Sequence, residues 1–330
     1  MKTTFLILLA ALLIPASMTS QSDQLEHLRN EITRLEQLSG GTVGVGIIHL
    51  ESGTELMYNN DQHFPMASSY KVPVAVQLLR KVEAGEMRLD SMVILTEKDI
   101  HPGSGTISRL LDDPGVALSA LNLMELMMLI SDNSATDLCM RLAGGPDAIN
   151  AMMKNKGIEG ISVDRPTVAL ICNWLGIDLE ADENMSMLAF MKAVEEVSEE
   201  RKVKAAKAFS EDLRDQSTPE GMARLLQKIW KGELLNKKHT ELLLDIMYRC
   251  ETGEGRLKGL LPPDVSVAHK TGTIGGTTND VGIIDLPGEA GHAVIVVFVK
   301  ESDIPVAERE RAIAHIARAV YDYFLFAGRD

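Results

Sequence analysis

Cysteine is nearly missing from this chain. Cys139, Cys172 and Cys250 are the full complement in 330 residues. Three is an odd number, and no C-x-x-C spacing occurs, so a disulfide-stapled scaffold is excluded and at least one thiol is unpaired within a single chain. Positive charge is in deficit: 33 basic against 47 acidic residues leave a net −14. No run of lysines and arginines forms a patch for phosphate backbones, which argues against nucleic-acid binding. The eight histidines are scattered, with no H-x-H or H-E-x-x-H, so nothing in the pattern calls for a metal. Internal repeats and low-complexity linkers are absent as well. What remains, 45% hydrophobic and 24% charged residues, is the composition of a globular protein long enough for two domains or one large one.

Membrane-scale apolar runs are also lacking. The longest, Phe5 to Ile14, follows Met1-Lys2 and is broken by Pro15-Ala16-Ser17. Ten apolar residues fall short of the ~20 that a bilayer core requires. A basic start, an apolar stretch and small residues after it read as a secretory signal peptide over 1–20. No cysteine follows for lipid attachment. The expected product is an exported, secreted or periplasmic, monomeric protein with no stable membrane anchor and no cofactor.

Apolar residues at helical spacing from Leu25 to Leu38 predict a helix ended by Gly40-Gly41. Thr42–Leu50 and Thr54–Tyr58 read as a hairpin around Glu51-Ser52-Gly53. Ser68 to about Lys156 is mostly helical in pattern, and so is Thr218–Tyr248. Strands return at Val265–Lys270, Asp280–Asp285 and His292–Val299, before an amphipathic helix over Ala307–Phe326. The fold class expected is α/β (α+β): one antiparallel sheet built from 21–60 and 262–330, flanked by terminal helices, with an inserted all-helical domain over 61–261.

Three short patterns carry the chemistry. In Ser68-Ser69-Tyr70-Lys71, positions i and i+3 of a helix share a face, so the Ser68 hydroxyl and Lys71 amine can meet. A serine becomes a nucleophile when a base takes its proton, and a lysine serves only if burial or positive neighbours lower its pKa. Ser131-Asp132-Asn133 offers a hydroxyl to relay a proton and an amide to hold substrate and lysine, though a helix cap reads the same way. Lys270-Thr271-Gly272-Thr273 offers a cation and hydroxyls for a carboxylate, with Gly272 letting a backbone approach. Each pattern alone also fits a solvated helix start, a cap or a strand end.

Together and in this order, they match the penicilloyl-serine-transferase signature shared by class A β-lactamases and penicillin-binding proteins. The resemblance extends to Phe64-Pro65-Met66-Ala67, Ser134-Ala135, Thr218-Pro219, Gly232–Leu235, Arg256–Pro262 and Thr278–Ile284, nearly the whole chain after the leader. It implies Ser68 as the acylated nucleophile, Lys71 as its activating partner and Ser131 as proton relay. Asn133, Lys270, Thr271, Gly272 and Thr273 become the substrate site, and the backbone N–H groups of Ser68 and Thr273 the oxyanion hole. Arg256 sits where many class A enzymes place a second carboxylate-binding arginine; a surface ion pair is the alternative.

One departure stands out. The class A Ω loop carries a glutamate that activates the deacylating water. Here Asp164-Arg165 resembles the start of that loop, but Pro166-Thr167-Val168-Ala169 follows, and the segment 161–217 is much longer than usual. Glu180, with Asn184 at matching spacing, is the candidate replacement; a solvated acidic run is the other reading. Ala67 stands where some relatives have a disulfide cysteine. The function implied is a class A β-lactamase-like serine hydrolase opening the lactam ring through Ser68, with slow deacylation. The rivals are a D,D-peptidase acting on peptidoglycan stem peptides and a β-lactam binder that does not turn over.

Overall fold

The computed structural model describes residues 16–113, 115–179 and 185–326, with side chains from residue 23 onward. The apolar leader segment 1–15 and the Glu180/Asn184 pair lie outside the described residues.

Alternation builds the central sheet. Its strands are β1 (Thr42–His49), β2 (Glu55–Tyr58), β3 (Val267–Ile274), β4 (Thr277–Asp285) and β5 (His292–Lys300), antiparallel in the order β2-β1-β5-β4-β3. The two ends of the chain meet where β1 pairs with β5, Val45 opposite Val297. Helices follow the chain as α1 (Ala16–Glu36), α2 (Lys71–Glu83), α3 (Ile107–Leu110), α4 (Ala120–Leu129), α5 (Asn133–Ala143), α6 (Gly145–Asn155), α7 (Thr167–Leu175), α8 (Met187–Glu196), α9 (Glu199–Glu211), α10 (Pro219–Trp230), α11 (Lys237–Tyr248) and α12 (Val306–Phe326).

Successive strand residues point to opposite faces, and both faces are covered. Val43, Val45, Ile47, Ile295 and Val297 pack against Leu28, Ile32 and Leu35 of α1 and Ile313, Ile316 and Val320 of α12. Ile48, Val294, Val296 and Phe298 share the larger core with α2, α4, α5, α10 and α11. The glycines alternating through β1 now have a reason. A Cβ on Gly44 would meet the Phe64 ring at 2.5 Å, and one on Gly46 would meet the Pro219 carbonyl at 2.6 Å. α10 therefore packs almost on the backbone of β1.

Two expectations shift. Lys270–Thr273 lies inside β3, not at a strand end, because Thr271 and Gly272 pair with Asp280 and Asn279 of β4 and the turn comes at Gly275, φ 51°. Polar cross-strand pairing extends the strand where apolar alternation has stopped. The Thr218–Tyr248 block is two helices, separated at Gly232, φ 66°.

The long segment 161–217 closes on itself. Arg165, 1% exposed, donates from Nε to Asp215 Oδ2 at 2.6 Å and from Nη1 to Asp212 Oδ2 at 3.0 Å and Asn173 Oδ1 at 3.0 Å. Asp215 Oδ1 accepts from the backbone of Asp164 at 2.7 Å and Arg165 at 3.1 Å. Between these ends α7 and α8 share a small core of Val168, Ala169, Cys172, Ile177, Leu179 and Phe190, while Leu170 of α7 and Phe209 of α9 join the larger core. Breaking a buried ion pair from one side costs about 3–5 kcal/mol because the other charge is stranded. Asp215→Asn is therefore expected to lower the thermal midpoint and to speed limited proteolysis within residues 164–215; unchanged midpoint and cleavage would show that the segment is held some other way.

Candidate active site

The turn that carries Ser68 begins at a strained residue. Ala67 has φ 45°, a left-handed value that a side chain adopts only under constraint. A single 3₁₀ turn, Ala67–Tyr70, leads from it into α2. Two serines compete in this turn, and burial separates them. Ser69 is fully buried and its hydroxyl donates to the Met66 carbonyl at 2.7 Å, whereas Ser68 remains partly exposed.

Asn279, fully buried, fixes this turn to the sheet. Its Nδ2 donates to the carbonyls of Pro65 at 2.8 Å and Met66 at 2.9 Å, while its Oδ1 accepts from Val299 N at 3.2 Å. β3 then runs past the turn so closely that a Cβ on Gly272 would lie 2.5 Å from the Met66 carbonyl and 3.0 Å from the Ser68 nitrogen. In the sequence, Asn279 is marked only by its place in the resembling stretch Thr278–Ile284. Its sole local signal is an asparagine inside a β-branched strand.

Lys71 opens α2 with no exposure. Its Nζ contacts the Ser131 carbonyl at 2.8 Å, the Ser131 hydroxyl at 3.0 Å and Asn133 Oδ1 at 3.1 Å. Burial and then the nearby positive Lys270 hold its pKa well below that of a free lysine, against the pull of Asp132 and Asp137. Ser131, φ 60°, links α4 to α5. Asp132 caps α5 through Ala135 N at 2.9 Å and also accepts from Thr106 N at 2.6 Å and Ile107 N at 2.8 Å, so the link is pinned from outside. Asn133 Nδ2 donates to the Pro102 carbonyl at 2.8 Å, and the Ser104 hydroxyl donates to the Ser131 carbonyl at 2.7 Å.

Lys270 is fully buried, with its Nζ 3.1 Å from the Thr271 carbonyl. Burial and the Arg256 charge bring its pKa down to about 8, with Cys250 and Asp280 opposing. Thr273 is exposed, and Thr271 is nearly buried. Arg256 is 6% exposed and engaged on all sides: Nε with Glu310 at 3.0 Å, Nη1 with the carbonyls of Gly272 at 3.1 Å and Asn279 at 2.7 Å, and Nη2 with the Thr273 hydroxyl at 2.7 Å. It does form an ion pair, but a buried one that reaches the site through Thr273.

Where a glutamate is expected after Arg165, Thr167 is 4% exposed, and its hydroxyl lies 2.6 Å from that of Tyr70. Asp137 caps α7 there, accepting from Thr167 N at 2.6 Å and Val168 N at 3.1 Å. Sequence reasoning also missed a buried polar chain beneath β3. His269 Nδ1 meets Asp280 Oδ1 at 2.9 Å and Cys250 packs beside it; all three cysteines are free and buried. The described residues contain no cluster of His, Cys, Asp and Glu able to hold a metal ion, and no helix long and apolar enough to cross a membrane.

Residues 27–324 match the family model described as the β-lactamase enzyme family. The β-lactamase VEB-1 of Pseudomonas aeruginosa is 28% identical, the alignment covering 98% of this chain and 99% of that protein. Among solved structures, an ancestral (GNCA) class A β-lactamase is 29% identical with a TM-score of 0.72, over 89% of this chain and 99% of that one. A PBP-A variant, solved as its acyl-enzyme complex with penicillin G, is 26% identical with a TM-score of 0.71, over 92% and 97%. With the family model spanning all but the ends of the chain and these folds superposing over most of their length, the chain belongs to the β-lactamase enzyme family.

Proposed function

We propose that this protein is a class A-like serine β-lactamase that opens the lactam ring through an acyl-enzyme on Ser68. The observation that carries this reading is the convergence on one turn of a partly exposed serine, a buried lysine bonded to Ser131 and Asn133, and the Lys270–Thr273 stretch of β3. Lys71, whose pKa burial and the neighbouring Lys270 charge hold well below that of a free lysine, takes the Ser68 proton in its neutral form as Oγ bonds to the lactam carbonyl carbon. The oxyanion accepts from the backbone N–H groups of Ser68 and Thr273. As the C–N bond breaks, the Ser131 hydroxyl passes the proton from Lys71 to the leaving nitrogen. Lys270, Thr271 and the Thr273 hydroxyl held by Arg256 bind the substrate carboxylate, with Asn133 facing the substrate amide. No cofactor enters. Export through residues 1–20, action as a monomer, a sheet unit of 21–60 with 262–330 and a helical unit of 61–261 belong to the same proposal.

A second reading, a D,D-peptidase or a β-lactam binder, shares every acylation step and differs only at the water. Thr167 in place of the Ω-loop glutamate favours it, as does Asp137, whose carboxylate is engaged in capping α7. Losing a general base costs about 10²–10⁴-fold. Penicillin mixed with the enzyme should therefore give a burst of about one equivalent followed by slow turnover, with the adduct visible by intact mass and absent in Ser68→Ala. Labelling of Ser68→Ala at the parental rate would remove Ser68. Fast turnover that collapses in Glu180→Gln would place the base in the long loop instead.

The two lysines set opposite pH limits. The saturated acylation rate should rise with pH as Lys71 loses its proton, and affinity for carboxylated substrates should fall above about pH 8 as Lys270 loses its charge. Stopped-flow acylation across pH resolves both, and an acylation rate that falls over the same range would reverse the role given to Lys71.

Removing Arg256 leaves Glu310 unpaired and the Thr273 hydroxyl unheld. Arg256→Ala should lower kcat/KM for carboxylated substrates roughly tenfold to a hundredfold, the worth of a hydrogen bond to a charged group. An unchanged value would take Arg256 and its hold on Thr273 out of substrate binding.

A further inference from the structure

Thr271 does not end in the substrate site. Its hydroxyl lies 2.6 Å from the Thr252 hydroxyl, which lies 3.4 Å from the Cys250 sulfur. Cys250 is 6% exposed; its contacts with the carbonyls of Leu129 at 3.9 Å and Thr252 at 4.0 Å are longer, and the His269 imidazole packs beside it. Three groups that each carry one movable proton are thus in line, from the underside of β3 to the residue proposed to meet the substrate carboxylate. We propose that this relay, Cys250–Thr252–Thr271, sets which way the Thr271 hydroxyl points, making Cys250 a positioning residue for carboxylate recognition. The proposal rests on the reading of the site given above.

The logic follows from proton counting. A thiol can donate to Thr252, which then donates to Thr271, leaving the Thr271 hydrogen free for the substrate carboxylate. A thiolate has no proton to give and accepts from Thr252. Thr252 in turn accepts from Thr271, whose hydrogen is drawn inward, and the substrate meets lone pairs where it needs a donor.

The surroundings let the thiol change state within the working pH range. Burial pushes its pKa up, but the His269 imidazole and the Lys270 ammonium outweigh this, and it is brought down to about 6. Burial opposes the charge on His269, but Asp280 and Cys250 itself raise its pKa, so the imidazole and the thiol titrate as a coupled pair in which a charged imidazole favours the thiolate. The remaining charges around Cys250 are Asp280 behind His269, Arg256 beyond Lys270, the chain neighbours Arg249 and Glu251, and Lys258, whose Nζ donates to the Cys250 carbonyl at 3.4 Å. Carboxylate binding should therefore take up a proton, and affinity should fall as pH rises through about 6, before the later loss near 8 that belongs to Lys270.

The test is stopped-flow acylation by benzylpenicillin and by its methyl ester, from about pH 5 to about pH 9, on the full protein. For the acid, affinity should drop roughly tenfold between about pH 6 and about pH 7.5, the loss of one hydrogen bond to a charged group; for the ester it should stay flat there. Thr252→Val cuts the relay while keeping the thiol beside Lys270. It should erase the step near 6 and keep the step near 8. Cys250→Ser should erase the first step and move the second to lower pH, because the thiolate no longer supports the Lys270 charge. Acid and ester sharing one profile in the wild-type enzyme, or the step near 6 surviving in Thr252→Val, would overturn the relay; the acid–ester comparison needs no variant to fold. Failure of both lactams to acylate Ser68 at any pH would instead overturn the underlying reading of the active site, a separate result seen by intact mass.

Discussion

The site depends on how closely β3 passes the turn that presents Ser68. Main chain meets main chain there, with no room for a Cβ at Gly272. Asn279 sets the distance by bonding two carbonyls of the turn with one amide and a strand N–H with its own carbonyl. The strain at Ala67 follows, since a chain pinned at Pro65 and Met66 must turn sharply to enter α2. A backbone held on both sides is what the oxyanion hole proposed for Ser68 and Thr273 would require: two N–H groups whose spacing does not relax when charge appears between them.

Closeness also explains the electrostatics. Bringing β3 to the nucleophile places two fully buried lysines in one pocket. Each is penalised by burial, and Lys270 further lowers Lys71. The surroundings then divide their roles. Lys71 has a ring of neutral acceptors in Ser131 and Asn133, which serve an amine that gains and loses a proton. Lys270 has the Asp280–His269–Cys250 chain behind it, which helps keep it charged. Two lysines of the same type are thereby suited to the different roles proposed for them, a base and a cation, and the difference lies in their partners.

How legible this was follows from what each residue contributes. The strands that bury apolar alternation, β1 and β5, and the helices with clear stops were readable, and the short ordered motifs holding Ser68, Lys71, Ser131 and Lys270 lie together in space. Asn279 and Cys250 were not readable. Their work is done on partners far away in sequence, such as Pro65 and Thr271, and no local pattern marks an asparagine or a cysteine for that. The full extent of β3 was hidden for a related reason: a Lys-Thr-Gly-Thr stretch has no strand periodicity, and pairing with Thr278–Asp280 makes it one. Arg256 was half legible. Its position suggested substrate binding, while the structure adds that its guanidinium reaches the site by holding Thr273.

The long loop raises a different point, since its closure is intact while the glutamate after Arg165 is missing. Arg165, Asp215 and Asp164 still join the two ends, so the segment between them can carry α7, α8 and α9, with a small core between α7 and α8 and with Leu170 and Phe209 anchored in the larger core. Thr167, at the first turn of α7, is tied to Tyr70 on one side and to Asp137 on the other. Both partners lie close to Lys71 in the field of the site, Tyr70 as its chain neighbour and Asp137 as one of the charges raising its pKa. The segment thus docks beside Lys71 and the Ser68 turn through neutral hydroxyls and a capping carboxylate whose oxygens are already engaged. Among the described residues, a surface of that kind holds the Ser68 turn in place and adds no free carboxylate at Thr167, the position after Arg165 where the glutamate is expected, which is the physical reason for proposing that acylation and water activation have separated in this protein.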